Sequence, residues 1–288
     1  MKGEYSKVLD LFPKVIALIE KTKTEKEYFG KPSNCYSMFH VWYGFCAGAS
    51  GNFAEGKRWL DKGLSLALAL DHPYTIGMTE FFHGWFFSMK GNGENCIKHI
   101  RNGIVNLEKA KAYIYLPMAW SISGLGHFYL GDLDTCFKHL EKGLQIHTEL
   151  NLGFFISLHN AHLSMAYLET TDTMNAEKCA NLALKSAQEH DERYFEAFSR
   201  MLLAQSIVKR NILRFNEAKQ HMIGAIKTLD ELKIRSTYAV AIYFLGQTYA
   251  YADQKEIAKK TLEKAEGLFR EMGMDYWITR TRQWLASP

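Results

Sequence analysis

Three columns of small residues recur along this chain at a fixed interval, and they constrain its fold more than any other feature. The first column reads Gly44, Gly84, Gly124, Ser164, Ser206 and Gly246. The second reads Gly56, Cys96, Cys136, Ala176, Ala218 and Ala258, and the third Gly63, Gly103, Gly143, Ala183, Ala225 and Ala265. Every column steps by 40, 40, 40, 42 and 40 residues, and each unit keeps internal spacings of 12 and 7. A glycine inside a helix costs about 0.5–1 kcal/mol relative to alanine, so the eight glycines of these columns cost about 4–8 kcal/mol in propensity. That cost is met where a neighbouring backbone or a large side chain must come close. A stack of helical hairpins needs such points at one place in every repeat.

The periodicity predicts an all-α chain of six helix pairs over 34–272. The first helices are expected at about 34–50, 74–90, 114–130, 154–169, 192–210 and 235–252. The second helices are expected at about 53–70, 93–110, 133–150, 174–189, 214–231 and 254–272. Gly51-Asn52, Gly91-Asn92 and Gly131-Asp132 supply turn residues that tolerate the left-handed region. Before the pairs, Gly3-Glu4-Tyr5 aligns with Gly51-Asn52-Phe53, so a helix of the second type runs from about Glu4 to Thr22 with no first helix ahead of it. Val8, Leu11, Val15 and Leu18 do not make a polar cap for a solenoid end. The expectation is therefore that residues 1–33 are a partial repeat and its connection, and that the chain is a fragment or has lost its N-terminal neighbour. Pro32 and Ser33 suit the start of the next helix. A covering helix with Trp277, Ile278 and Trp284 occupies 273–288, and the whole of 1–288 reads as a single helical-repeat domain.

These spacings resemble the tetratricopeptide repeat, whose second helix places alanine, a large apolar residue and alanine in order. The large apolar slot here holds Leu60, Ile100, Leu140, Ala180, Met222 and Leu262. The resemblance implies a right-handed superhelical solenoid. The period near 40 exceeds the family's, about 34, and the extra residues follow the third column, which lengthens the second helix or its loop. The family's first-helix aromatics are mostly missing, with Trp120, Tyr167 and Tyr249 in register.

Composition narrows the function. There are 35 basic and 31 acidic residues for a net charge of +4, with the signs interleaved, as in Lys255, Glu256, Lys259, Lys260, Glu263 and Lys264. That is a mixed solvated surface and not a nucleic-acid footprint. The most apolar run, Phe81 to Met89, is far shorter than a bilayer span. Five cysteines without a C-x-x-C pair, two of them in a small-residue column, point to packing in a reducing, cytoplasmic compartment. No phosphate loop, nucleophile elbow or paired catalytic carboxylates occur, so no enzymatic activity, cofactor or metal site is expected. His99, His139 and His221 share one column with Trp59 and Cys179, which marks them as structural. His159 and His162 lie on one helix face without an evident third ligand.

The binding signal is the concave face that the resemblance assigns to the first helices. Columns set from the first small residue read Met38, Met78, Met118 and Leu158; Trp42, Phe82, Ile122 and His162; and Phe45, Trp85 and Leu125. Methionines and aromatics suit adaptable apolar recognition. The candidate face is thus Met38, Trp42, Phe45, Met78, Phe82, Trp85, Met118, Ile122 and His162, and the alternative for each is packing between helices.

The phrase Leu268-Phe269-Arg270-Glu271-Met272-Gly273-Met274-Asp275-Tyr276-Trp277 resembles the ending of a known group. So do His72-Pro73-Tyr74, Gly84-Trp85-Phe86 and Glu192-Arg193-Tyr194-Phe195-Glu196. The group is the C-terminal repeat region of large bacterial signalling proteins, in which a class III adenylate or guanylate cyclase or other output domain precedes an AAA-type ATPase. The resemblance implies a regulatory or interaction module that binds a protein or peptide segment, from a partner or from the rest of its parent chain. The alternative is a small-molecule sensor domain of a signalling ATPase.

Overall fold

A computed structural model describes residues 5–286; the expected helix start at Glu4 and the last two residues of the chain lie outside them. Among the described residues there are fourteen α-helices and no strand. α1 (Tyr5–Thr22) is followed by pairs α2/α3 (Cys35–Ala49, Phe53–Ala69), α4/α5 (Pro73–Lys90, Gly93–Lys109) and α6/α7 (Leu116–Tyr129, Leu133–Glu149). Then come α8/α9 (Ile156–Glu169, Thr173–Glu189), α10/α11 (Arg193–Arg210, Phe215–Glu231) and α12/α13 (Arg235–Tyr251, Lys255–Met272), and finally α14 (Asp275–Ala286). The expected all-α fold is what forms.

The chain divides into two compact units, one ending at Leu150 and one beginning at Asn151. In each unit a first helix packs on the second helix of its own pair, and that second helix packs on the next first helix.

The small columns are where paired helices touch. At Gly44 an added Cβ would lie 2.5 Å from the carbonyl oxygen of Gly56 and 2.9 Å from the amide of Leu60. At Gly143 it would meet the carbonyl oxygen of Pro117 at 2.7 Å, and at Gly246 it would meet Leu262 at 2.7 Å. Gly93 serves a contact the columns did not contain: its Cβ would lie 2.5 Å from the Gly126 carbonyl, where α5 crosses the following α6.

Within-pair turns are built alike. Gly51, Gly91 and Gly131 sit at positive φ, and Thr171 takes that place in the fourth pair. The next residue caps the second helix, with Asn52, Asn92, Asp132 and Asp172 each accepting from the amide three residues on. These caps satisfy donors that a helix start leaves open. The second helices run to 17 or 18 residues, which accounts for the long period. A further column appears between pairs: Asp71, Lys111, Asn151, Asp191 and Lys233 all hold left-handed backbone.

Two helix starts differ from expectation. α2 is capped by Asn34 and not by Ser33: Asn34 Oδ1 accepts from the Ser37 amide at 2.8 Å, and its amide group donates to the Glu25 carbonyl at 2.9 Å. α8 lacks a side-chain cap of its own. The buried Glu192 from the turn before α10 accepts from the Phe155 amide at 3.0 Å and from the Ser157 hydroxyl.

Candidate functional site

Consecutive first helices meet each other in both units, α2 with α4 and α4 with α6, then α8 with α10, α10 with α12 and α12 with α14, and consecutive second helices make no comparable contact. The neighbours that approach each other lie on the inner side of a curved stack, so within each unit the first helices line the inner curve. Polar links run along it. The Asn34 amide donates to Thr75 Oγ1 at 3.0 Å, the Tyr74 hydroxyl meets that of Tyr115 at 3.3 Å, and Gln205 donates to the Phe244 carbonyl at 2.7 Å.

In the N-terminal unit α2 and α4 are apolar nearly all round, and the inner face of this region is a mesh of rings. Phe12 of α1 meets Phe39 at 4.9 Å and Trp42 at 5.9 Å between ring centroids. Trp42 meets Phe82 edge-on at 6.5 Å, Phe45 meets Phe82 at 5.4 Å and Trp85 at 5.2 Å, and Phe82 stacks on Trp85 at 6.3 Å. Four residues proposed from separate repeats, Trp42, Phe45, Phe82 and Trp85, therefore form one cluster. They do not have equal access. Trp42 is 38% exposed and Phe82 partly so, whereas Phe45 and Trp85 keep 3% and 5%.

Met38, Met78, Met118 and Ile122 are buried, as is His162 in the C-terminal unit. Burial pushes the His162 imidazole down to about 3, and its Nδ1 has no hydrogen-bond partner. His162 is thus a neutral core side chain beside Phe198, with ring centroids 6.2 Å apart. His159 is buried as well, and no group of three metal-ligating side chains occurs among the described residues.

The histidine column packs each second helix on its partner. Trp59 rests on Tyr43 at 4.4 Å, His99 stacks on His83 at 4.7 Å, and His139 meets Trp120 at 4.9 Å. His99 Nδ1 donates to the buried Glu80 at 2.5 Å, and Asn102 donates to the other oxygen of that carboxylate at 3.2 Å. Beside them His83 faces Asp61 at 3.5 Å; the facing His83 imidazole and then the Lys57 ammonium hold the Asp61 carboxyl down at about 2. Burial pushes the thiols of Cys46 and Cys136 up to about 12, and these cysteines are packing residues.

The C-terminal unit carries an inner-face cluster that no sequence pattern announced. Arg280 of α14 makes a two-pronged ion pair with Glu169 at the end of α8, both bonds 2.8 Å, across 111 residues. Lys209 of α10 donates to the Leu168 carbonyl at 3.3 Å, and the Tyr243 hydroxyl accepts from Gln247 at 2.6 Å. A separate cavity of about 280 Å³ lies among α12, α13 and α14, lined by Ala250, Ala258, Leu262, Trp284 and Leu285 with Lys255, Glu256 and Lys259 at its edge.

Helix pairs stacked through small-residue contacts, with the first helices inside, define a tetratricopeptide-like helical repeat. Among solved structures the chain is similar to a Rap protein complexed with competence and sporulation factor, at 15% identity over 97% of this chain and 80% of that one, with a TM-score of 0.68. It also matches the apo form of RapI (16% identity, 98% and 86% covered, TM-score 0.49). A third match is a Podosopora anserina putative kinesin light chain with nearly identical TPR-like repeats (14% identity, 68% and 95% covered, TM-score 0.43). At these identities the likeness is one of fold alone. No family model and no curated protein matches the chain.

Proposed function

We propose that this chain is a non-catalytic scaffold that binds a protein segment on the inner face of its N-terminal unit. One observation carries the reading: Trp42 keeps 38% of its surface exposed beside the partly exposed Phe82, on top of the buried rings of Phe45 and Trp85. A large amphipathic ring held in place by its neighbours loses little freedom on binding, which is the property of an interface anchor. Phe82 extends the patch, and the buried Phe45, Trp85, Met38 and Met78 support it. The Rap structure, complexed with competence and sporulation factor, supports a protein-binding role for the fold. The resemblance of the 268–277 phrase to the tail of signalling ATPases supports a regulatory place, in the cytoplasm, within such a protein. The test is Trp42→Ala with Phe82→Ala, checked for retained helicity and melting temperature. Loss of partner binding with the fold intact supports the site, and unchanged affinity removes it.

A second reading, a small-molecule sensor, is favoured by the cavity beside Trp284, whose apolar floor and mixed edge of Lys255, Glu256 and Lys259 suit a compact amphiphilic molecule. A ligand at 100 times its dissociation constant adds about 2.7 kcal/mol of stability. A metabolite panel without such stabilisation counts against it.

A further inference from the structure

Four first helices of the C-terminal unit, α8, α10, α12 and α14, bring polar side chains to one place on its inner face. Arg280 of α14 holds Glu169 of α8 through two bonds of 2.8 Å. Lys209 of α10 donates to the carbonyl of Leu168, the residue beside Glu169, at 3.3 Å. Tyr243 of α12 is buried, and its hydroxyl lies within reach of the Arg280 guanidinium. Burial pushes the Tyr243 pKa up and the Arg280 charge pulls it part of the way back, so the hydroxyl keeps its proton. Lys209, Glu169 and Arg280 are half-buried, which leaves the place open to solvent on one side.

Neither charge nor hydrogen-bonding capacity balances there. Two cations share a single carboxylate. Burial is the largest influence on Lys209 and lowers its pKa; the Glu169 carboxylate then raises it and the Arg280 guanidinium lowers it. Among the described residues the Lys209 ammonium has no carboxylate at ion-pair distance, and its acceptor is the Leu168 carbonyl. The C-terminal end of α8 offsets about half a charge through its dipole, and the remainder is uncompensated. An ammonium carries three N–H donors and a guanidinium five. One goes to Leu168 and two go to Glu169. A half-buried lysine without a carboxylate is costly, and an apolar side chain of the same length would avoid that cost. What this arrangement lacks is a negatively charged acceptor.

We infer that the cluster is a binding site for an oxyanionic group, a carboxylate or a phosphate, received by Lys209 and Arg280 with the Tyr243 hydroxyl beside them. Charge-assisted bonds of this kind are the strong ones, and a planar guanidinium can serve two carboxylates or phosphates at once. Glu169 is then the resident counter-ion. It holds Arg280 in position, and its own charge opposes the incoming anion. The inference stands apart from the reading of the N-terminal inner face, because it uses none of those residues.

The test is a series of thermal melts of the full chain at ionic strength held constant with sodium chloride. One arm adds inorganic phosphate. The other adds a blocked glycine–serine peptide carrying one glutamate, with the glutamine peptide as its control. Either probe, at saturation, should raise the melting temperature by at least about 2 °C. A response to phosphate identifies a free small anion as the source, and a response to the glutamate peptide identifies an acidic protein segment. Lys209→Met should melt at or above the parent temperature in chloride alone, because no charge is buried. It should need about tenfold more anion for the same shift, since a bond from a charged donor is worth roughly that factor. Glu169→Gln should melt lower in chloride yet respond at a concentration at least about fivefold lower, because a like charge beside the site is gone. A purely structural ion pair would lose stability in that variant and gain no sensitivity to anions. No saturable response to either probe, an unchanged response in Lys209→Met, or a weaker one in Glu169→Gln would overturn the inference.

Discussion

Replacing Gly44 by alanine puts the meaning of the small columns to a quantitative test. Its Cβ would stand 2.5 Å from the Gly56 carbonyl oxygen and 2.9 Å from the Leu60 amide and from Leu60 Cγ. Two of these three atoms are backbone, so a rotamer change cannot relieve the overlap and α2 must move away from α3. Overpacking of this kind costs about 1–3 kcal/mol, and backbone contacts put Gly44 at the upper end. Alanine returns about 1 kcal/mol of helix propensity, leaving a net loss of about 2 kcal/mol. Gly267 in the middle of α13 is the matched control, because nothing lies within 4 Å of an added Cβ there. Gly267→Ala should stabilise by up to about 1 kcal/mol. Urea unfolding followed by far-ultraviolet circular dichroism reads both signs. A Gly44→Ala variant as stable as the parent would refute the view that this column exists for close helix approach.

Other expectations are as direct. Burial holds His162 at about 3 from an ordinary 6.5, so it contributes stability that is full above about pH 6.5 and is lost as pH falls toward 3. Over that window it adds a slope of about 1.4 kcal/mol per pH unit, and His162→Leu should flatten the stability profile between pH 6 and 4. Lys233 stands at φ 57. Lys233→Gly should be neutral or slightly stabilising in thermal melts, and Lys233→Val should lose about 1–2 kcal/mol, because a branched side chain crowds left-handed backbone. Burial pushes the half-buried Cys35 and Cys179 thiols up, so iodoacetamide should modify them slowly at neutral pH and faster at pH 9, and spare the buried Cys46, Cys96 and Cys136 until the chain is unfolded, as read by intact mass.

Much of the fold was legible because the small residues do their work locally. Gly44 and Gly56 are 12 residues apart and touch in the same hairpin, so a fixed spacing records a fixed contact. The turns were legible at Gly51, Gly91 and Gly131, where the backbone needs the left-handed region. They were less so at Lys111 and Lys233, where ordinary residues adopt it. Asn34 and Glu192 escaped because their partners are set by tertiary placement: Asn34 gathers carbonyls from the preceding loop, and Glu192 caps a helix 35 residues earlier in the chain. The inner-face cluster was legible as aromatic residues one repeat apart, Phe45 with Trp85 and Trp42 with Phe82. Which of them keep exposed surface was not, because that depends on how α2 meets α4 and on Phe12 arriving from α1. The Arg280–Glu169 pair left no trace in any local pattern.

The most direct test of the central claim is site-specific photo-crosslinking in cell extract. A benzoylphenylalanine is placed at position 42, on the inner face, and in a second sample at position 58, on the exposed side of α3. We expect a discrete protein adduct from position 42 that is absent from position 58 and that excess unmodified chain competes away. Adducts from position 58 alone, or equal adducts from both, would contradict an inner-face binding site.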